Sequence, residues 1–195
     1  FIQADLTDVD ACRQSVEAVL ERFGRIDVVI NNAGVNDSIG LEAGPAEFVK
    51  SLERNLVHYY AIVHQALDAL RETKGSIVNI GSKVSLTEQG TTSGYAADKG
   101  GINSLTREWA VDLAADGIRV NAVCPNEVNT PMLRSGFSAR GIDPEKAIDD
   151  LNRSVPLGHI AQPEEIADVV LFLVSDQSRY MCGALVEVNG GKPVT

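Results

Sequence analysis

Four short apolar runs rich in β-branched residues, 26–30, 76–80, 118–123 and 184–188, recur along the chain, with amphipathic helical stretches around and between them. This alternation is the strongest constraint on the fold. Runs of that length and composition suit buried strands, and strand–helix–strand succession demands crossover connections. The expected result is a doubly wound parallel sheet covered on both faces. The helical stretches are 8–22, 45–71, 93–115 and 163–174. Asp8 can cap the first and Gly24 can stop it. Pro163 opens the last, with Glu164 and Glu165 complementing the helix dipole. Residues 130–156 break the rhythm. Long, polar and glycine-containing, they read as a substrate lid. No repeat or linker divides the remainder, so residues 1–195 read as one α/β domain.

Composition narrows the partners. A net charge of −10 without a basic stripe argues against nucleic acid or an anionic membrane surface. No apolar run approaches the ~20 residues that span a bilayer. Cys12, Cys124 and Cys182 are scattered, which predicts neither a disulfide framework nor a zinc site and makes the cytoplasm the default compartment. His58 and His64 have no acidic or cysteine partner at ligand spacing and read as packing or interface residues, so no metal is expected. The chain opens on Phe1-Ile2-Gln3-Ala4-Asp5, which reads as the end of a strand and predicts a partial sequence.

Tyr95 and Lys99 are four residues apart near the start of the third helix, on one helical face. A free tyrosine has a pKa of ~10 and is a poor base at neutral pH. An ammonium about 4 Å away favours the phenolate by up to ~4 kcal/mol at an effective dielectric of ~20, before desolvation. Alone, the pair reads equally well as an ordinary helix-surface pair. Context adds to it. Ser82 ends the 76–80 run, and ligands of parallel α/β sheets sit beyond the carboxyl ends of strands. A serine there and a tyrosine on the next helix can share one substrate oxygen. Asn31-Asn32-Ala33-Gly34 ends the preceding run with small residues that admit a ligand close to the backbone. Asn55 lies inside the second helical stretch, where an amide is a poor intrinsic choice.

Asp5-Leu6, Asn31-Asn32-Ala33-Gly34, Asn55, Ser82, Tyr95 with Lys99, Pro125 with Thr130, and Asn189-Gly190-Gly191 together resemble the short-chain dehydrogenase/reductase family. The resemblance runs in order over essentially the whole chain. It implies a Rossmann-like fold and hydride transfer with NAD or NADP. Under it, Tyr95 exchanges the proton, Ser82 orients the substrate oxygen, Lys99 lowers the tyrosine's pKa and holds the nicotinamide ribose, and Asn55 anchors a water linking Lys99 to solvent. The resemblance places Asp5, Leu6, Asn32, Ala33 and Gly34 on the adenosine side of the cofactor. Pro125, Val128 and Thr130 fall on the nicotinamide side. It also implies a homo-oligomer, dimer or tetramer, built through 45–71 and 93–115, where Tyr59, Tyr60, Ala61, His64, Leu105, Trp109 and Leu113 recur on helical faces.

Departures accompany the match. Asn126 follows Pro125 where the family has glycine, and Asp98 stands where a serine often precedes the lysine. A carboxylate there either draws the charge of Lys99 away from the tyrosine or points to solvent. Family members begin with a strand, a TGxxxGxG turn and a helix, then a second strand and helix, and the sheet order is 3-2-1-4-5-6-7. That opening is not recognisable here. The expectation is a Rossmann domain lacking its first two strands and helices, with residues 1–4 as the tail of strand 3 and an open edge on strand 4. The glycine-rich turn normally supplies N–H groups to the pyrophosphate.

Asn36 and Asp37 after Gly34, the 51–60 stretch around Asn55, 106–111, and Glu127-Val128 are similar to the L-fucose dehydrogenase branch, which oxidises an aldose to its lactone. The branch implies a sugar substrate held by Asn36, Asp37, Ser82, Gln89, Tyr95 and Glu127. Directional hydrogen bonds discriminate more strongly than apolar fit. Each of those polar residues also reads as a turn cap. Two alternatives stand beside sugar oxidation: a reductase of 3-oxoacyl or small-ketone substrates with the same Ser82, Tyr95 and Lys99, and a non-catalytic fragment unable to bind cofactor.

Overall fold

The structure is a computed structural model that describes residues 1–87 and 89–192. Four parallel strands, β1 (Val28–Asn31), β2 (Ser76–Ile80), β3 (Arg119–Pro125) and β4 (Leu185–Val188), form a sheet in the order β1-β2-β3-β4. Helices α1 (Val9–Phe23), α2 (Pro45–Leu52), α3 (His58–Thr73), α4 (Ser93–Leu113) and α7 (Pro163–Val174) supply its crossovers and flanks. The Asp8 side chain caps α1 by accepting from Asp10 N–H, and Gly24 ends it in the left-handed conformation at φ 70°.

Side chains alternate across the sheet and so sort into two cores. Ile77 and Val120 join Tyr59, Leu70, Ile102 and Trp109 under α3 and α4. Val78 and Val123 point the other way, onto Ile166, Val170 and Leu173 of α7. Register is pinned by polar groups as well. Asn31 pairs opposite Asn79, their amides share a 2.9 Å hydrogen bond, and Asn79 in turn donates to Thr106 of α4 at 2.9 Å. A slip of one residue would bury these amides without partners.

Three expectations change. The sheet is not covered on both faces throughout: Val29 is buried under α3, but Val28 and Ile30 on the other face of β1 remain 36% and 50% exposed. Residues 1–4 carry no strand pairing. The 130–156 segment, expected to be a substrate lid, is largely helical. It folds into α5 (Pro131–Ala139) and α6 (Pro144–Ser154), capped by Thr130 and Asp143. Ile148, Val155 and Ile160 form its own small core with Leu133, Phe137 and Leu151.

The predicted 45–71 helix is α2 and α3 joined by a π turn at Glu53–Val57. Of the residues expected on an oligomer face, Tyr59, Ala61, Trp109 and Leu113 belong to this chain's own core, whereas Tyr60 and His64 are exposed and stack on each other. Among the described residues, no helix is long and apolar enough to cross a membrane.

Candidate active site

The carboxyl ends of β1 and β2 and the start of α4 converge on one carbonyl, that of Ile80 at the end of β2. Lys99 Nζ donates to it at 2.8 Å and the Tyr59 hydroxyl at 3.1 Å. The lysine ammonium lies between two aromatic faces, 5.6 Å from the Tyr59 ring centre and 5.5 Å from that of Tyr95. Both are within cation–π range. Helical spacing on α4 brings Tyr95 and Lys99 to the same side, as the sequence indicates.

Ser82 follows β2 in extended backbone, and its hydroxyl accepts from Val84 N–H at 3.2 Å. Its carbonyl accepts from the Ser85 hydroxyl at 2.5 Å, and Ser85 is held in turn by Asn103 of α4 at 2.6 Å. The serine is thus fixed to the same helix that carries Tyr95. Burial pushes the Tyr95 phenol above its ordinary value; a hydrogen bond with Ser82 opposes this, and the charge of Asp98 adds to it. Lys99 is nearly enclosed, and burial lowers it to about 8 against the opposing influence of Asp98. Burial of Tyr95 therefore acts against the lowering expected from Lys99.

The π turn explains Asn55. A π turn adds a residue to the helical repeat and redirects the side chains around it. Asn55 is fully buried; its Oδ1 accepts from Val35 N–H at 2.7 Å and its Nδ2 donates to the Ser51 carbonyl at 3.2 Å. It ties the turn after β1 to the helix. Gly34 must be small for that reason: a Cβ there would lie 3.0 Å from Asn55 Oδ1 and 3.9 Å from Lys99 Nζ. His58, also buried, lies 3.1 Å from the Ala33 carbonyl and holds the other side of the turn.

Asn32 and Ala33 are exposed at this turn. Asp5 and Leu6 precede α1, where Asp5 accepts from both the N–H and the hydroxyl of Thr7. After β3, Val128 bridges in parallel to Ala161 through the N–H of Asn129 and the carbonyl of Glu127, so its own N–H and carbonyl stay outside that pairing. Thr130 is spent on capping α5. A buried ammonium, a small-residue turn and free backbone groups at Val128 fit the nicotinamide half of a dinucleotide.

The expected substrate residues divide. Gln89 is exposed, and Asn36 is exposed with its Oδ1 accepting from Ser38 N–H. Asp37 instead faces Ser51 and pairs with Arg54. Glu127 pairs with Lys83 and Lys192. Tyr59 and Asp98 belong to the site beyond the residues named from the sequence. Nothing in the sequence separates Tyr59 from a packing residue; Asp98 stood out only as a departure at one position.

Comparison with known proteins agrees with this geometry. The family described as enoyl-(acyl carrier protein) reductase matches residues 1–192. A 3-oxoacyl-[acyl-carrier-protein] reductase of Thermotoga maritima is 35% identical over 189 residues, which is 96% of this chain and 74% of that protein. An L-fucose dehydrogenase of Mus musculus is 34% identical over 98% of this chain and 70% of its own length. In structure, the chain is similar to the aldohexose dehydrogenase of Thermoplasma acidophilum, with a TM-score of 0.93 and 30% identity over 100% of this chain and 78% of that one.

Proposed function

From the premise that the chain belongs to the short-chain dehydrogenase/reductase family, and is an oxidoreductase, we propose that it oxidises an aldose to its lactone with NAD or NADP. The observation that carries the oxidoreductase chemistry is the Tyr95–Ser82–Lys99 cluster at the strand ends. The cofactor, when bound, takes up or returns the hydride. Tyr95 exchanges the hydroxyl proton of the substrate at its phenolic oxygen. The Ser82 hydroxyl orients that substrate oxygen, on a backbone whose carbonyl is held by Ser85 and, through it, by Asn103. Lys99 holds its ammonium beside the Tyr95 ring, where positive charge favours the phenolate as the proton leaves. Asn32, Ala33, Gly34, Val128 and Thr130 border the cofactor.

Sugar oxidation is supported by the exposed amides of Asn36 and Gln89 and by the likeness to an aldohexose and an L-fucose dehydrogenase. A second reading, reduction of a 3-oxoacyl or small-ketone substrate, is favoured by one observation: Asp37 and Glu127 are engaged inside the protein, leaving fewer groups for sugar hydroxyls. Assembly with further copies would use the exposed Val57, Tyr60 and Val111 of the paired helices.

Assays with L-fucose, D-arabinose and L-galactose beside ketones and 3-oxoacyl thioesters, each with NAD and NADP, test the proposal. Aldose oxidation supports it; turnover of ketones or thioesters alone contradicts it. Titrating both dinucleotides into the 195-residue polypeptide, alone and with a glycine-rich strand–turn–helix unit joined ahead of Phe1, separates an enzyme from an inert piece.

A further inference from the structure

Asp98 is 0% exposed, one residue before Lys99, and the proton transfer described above does not use it. Its Oδ2 lies 3.2 Å from Ser51 Oγ, and the same Oγ lies 3.1 Å from Asp37 Oδ1. Asp37 Oδ2 accepts from Arg54, whose side chain is 40% exposed, at 3.2 Å. Among the described residues, Asp98 Oδ1 has no hydrogen-bond partner. The contact is held by close packing: a Cβ on Gly94, the residue before Tyr95, would lie 2.6 Å from Ser51 Oγ.

Counting hydrogens decides what this geometry needs. Ser51 has one hydroxyl hydrogen and two carboxyl neighbours. With both carboxyls ionised, one contact would set an anionic oxygen against hydroxyl lone pairs. One extra proton satisfies both contacts. The Arg54 guanidinium faces Asp37, whereas Asp98 is fully buried without a cation bonded to it, so the extra proton is assigned to Asp98. The chain then runs from Asp98 O–H to Ser51 Oγ, from the Ser51 hydroxyl to the Asp37 carboxylate, and ends at Arg54 on the surface. If Ser51 passes its own proton to the Asp37 carboxylate as it takes the one from Asp98, Asp98 is left ionised and Asp37 protonated, and Asp37, whose side chain is 10% exposed, then releases that proton to solvent.

We infer that Asp98 is a positioning residue for the proton exchange at Tyr95: connected to the surface through Ser51 and Asp37, and next to Lys99 on α4, it changes the charge beside Lys99 by releasing or taking up one proton. This rests on the oxidoreductase reading. Ionised Asp98 favours the Lys99 ammonium, which burial opposes, and works against ionisation of Tyr95. Burial raises Asp98 to about 6, with Ser51 and Asn55 lowering it, Asp37 raising it and Lys99 lowering it. The groups facing Lys99 in turn are Tyr59, His58, Cys124 and Tyr95.

The test is carbon-13 resonance titration of labelled aspartate and lysine in the parent, D98N, D98S and S51A proteins, alongside kcat against pH. The expected result is an Asp98 carboxyl midpoint near 6, well above the ordinary ~4. In D98N and D98S the Lys99 midpoint falls by about one unit, a roughly tenfold change in its acid constant. S51A removes the bridge between the two carboxyls and so uncouples the Asp98 midpoint from Asp37. The limb of the kcat profile near pH 6 vanishes in both Asp98 variants. An Asp98 midpoint in the ordinary carboxylate range, or a Lys99 midpoint unmoved in both variants, overturns the inference. Titrations as expected in a protein without any hydride-transfer activity would support the network and contradict the oxidoreductase reading.

Discussion

Asn55 Oδ1 accepts a 2.7 Å hydrogen bond from the backbone N–H of Val35, twenty residues earlier in the chain. The bond joins the turn after β1 to the π turn between α2 and α3, so one amide fixes two of the three segments around Lys99. Asn55→Ala leaves the Val35 N–H without that acceptor, at a cost of about 1–3 kcal/mol. Urea unfolding measures it. An Asn55→Ala protein as stable as the parent would show that the turn finds another acceptor.

β1 and β2 offer the same side chain in two environments. Ile77 is fully buried between β2 and α4, whereas Ile30 on β1 is half exposed. Ile77→Ala should destabilise by about 2–5 kcal/mol through lost burial and the cavity left behind. Ile30→Ala should change stability by no more than about 0.5 kcal/mol. Equal losses by denaturant unfolding would mean that the outer face of β1 is covered in the protein as it occurs in solution.

Lys99 makes a signed prediction for pH. Its folded pKa is lowered from 10.5 to about 8, so between those values the unfolded chain binds more protons than the folded one. Stability contributed by this group therefore rises with pH across that window, on the order of 3 kcal/mol in all. Lys99→Met removes the titrating group and with it the rise. Unfolding free energies measured at pH 7.5 and 10 check this; parallel pH dependence in parent and variant would contradict the burial account of Lys99.

The alternation of elements was legible because strand and helix periodicities differ, and β2 and α7 fall where the apolar pattern places them. Ser82, Tyr95 and Lys99 were named through their place in a series of motifs that resembles the family; the Tyr95–Lys99 spacing alone reads equally as a helix-surface pair. The π turn was not legible: Ser51-Leu52-Glu53-Arg54-Asn55 carries no local mark of an extra residue in the repeat, and the bond that accompanies the turn, from Val35 to Asn55, is tertiary. The helices of 130–156 had their signals, Thr130-Pro131 and Asp143-Pro144, but the polar and glycine residues between them hide the helical periodicity. The partners of Asp37 and Glu127 inside the protein, Ser51, Arg54, Lys83 and Lys192, were not legible, because they are distant in sequence and meet only in the fold.

The central claim is that the phenolic hydroxyl of Tyr95 carries the proton of the reaction. Tyr95→Phe removes that one oxygen and keeps the ring beside Lys99. The most direct measurement is kcat for Tyr95→Phe against the parent, with dinucleotide affinity measured on both. The account predicts a fall of about 10²–10⁴-fold in kcat with affinity for the dinucleotide unchanged. A Tyr95→Phe protein that turns over near the parent rate would contradict it.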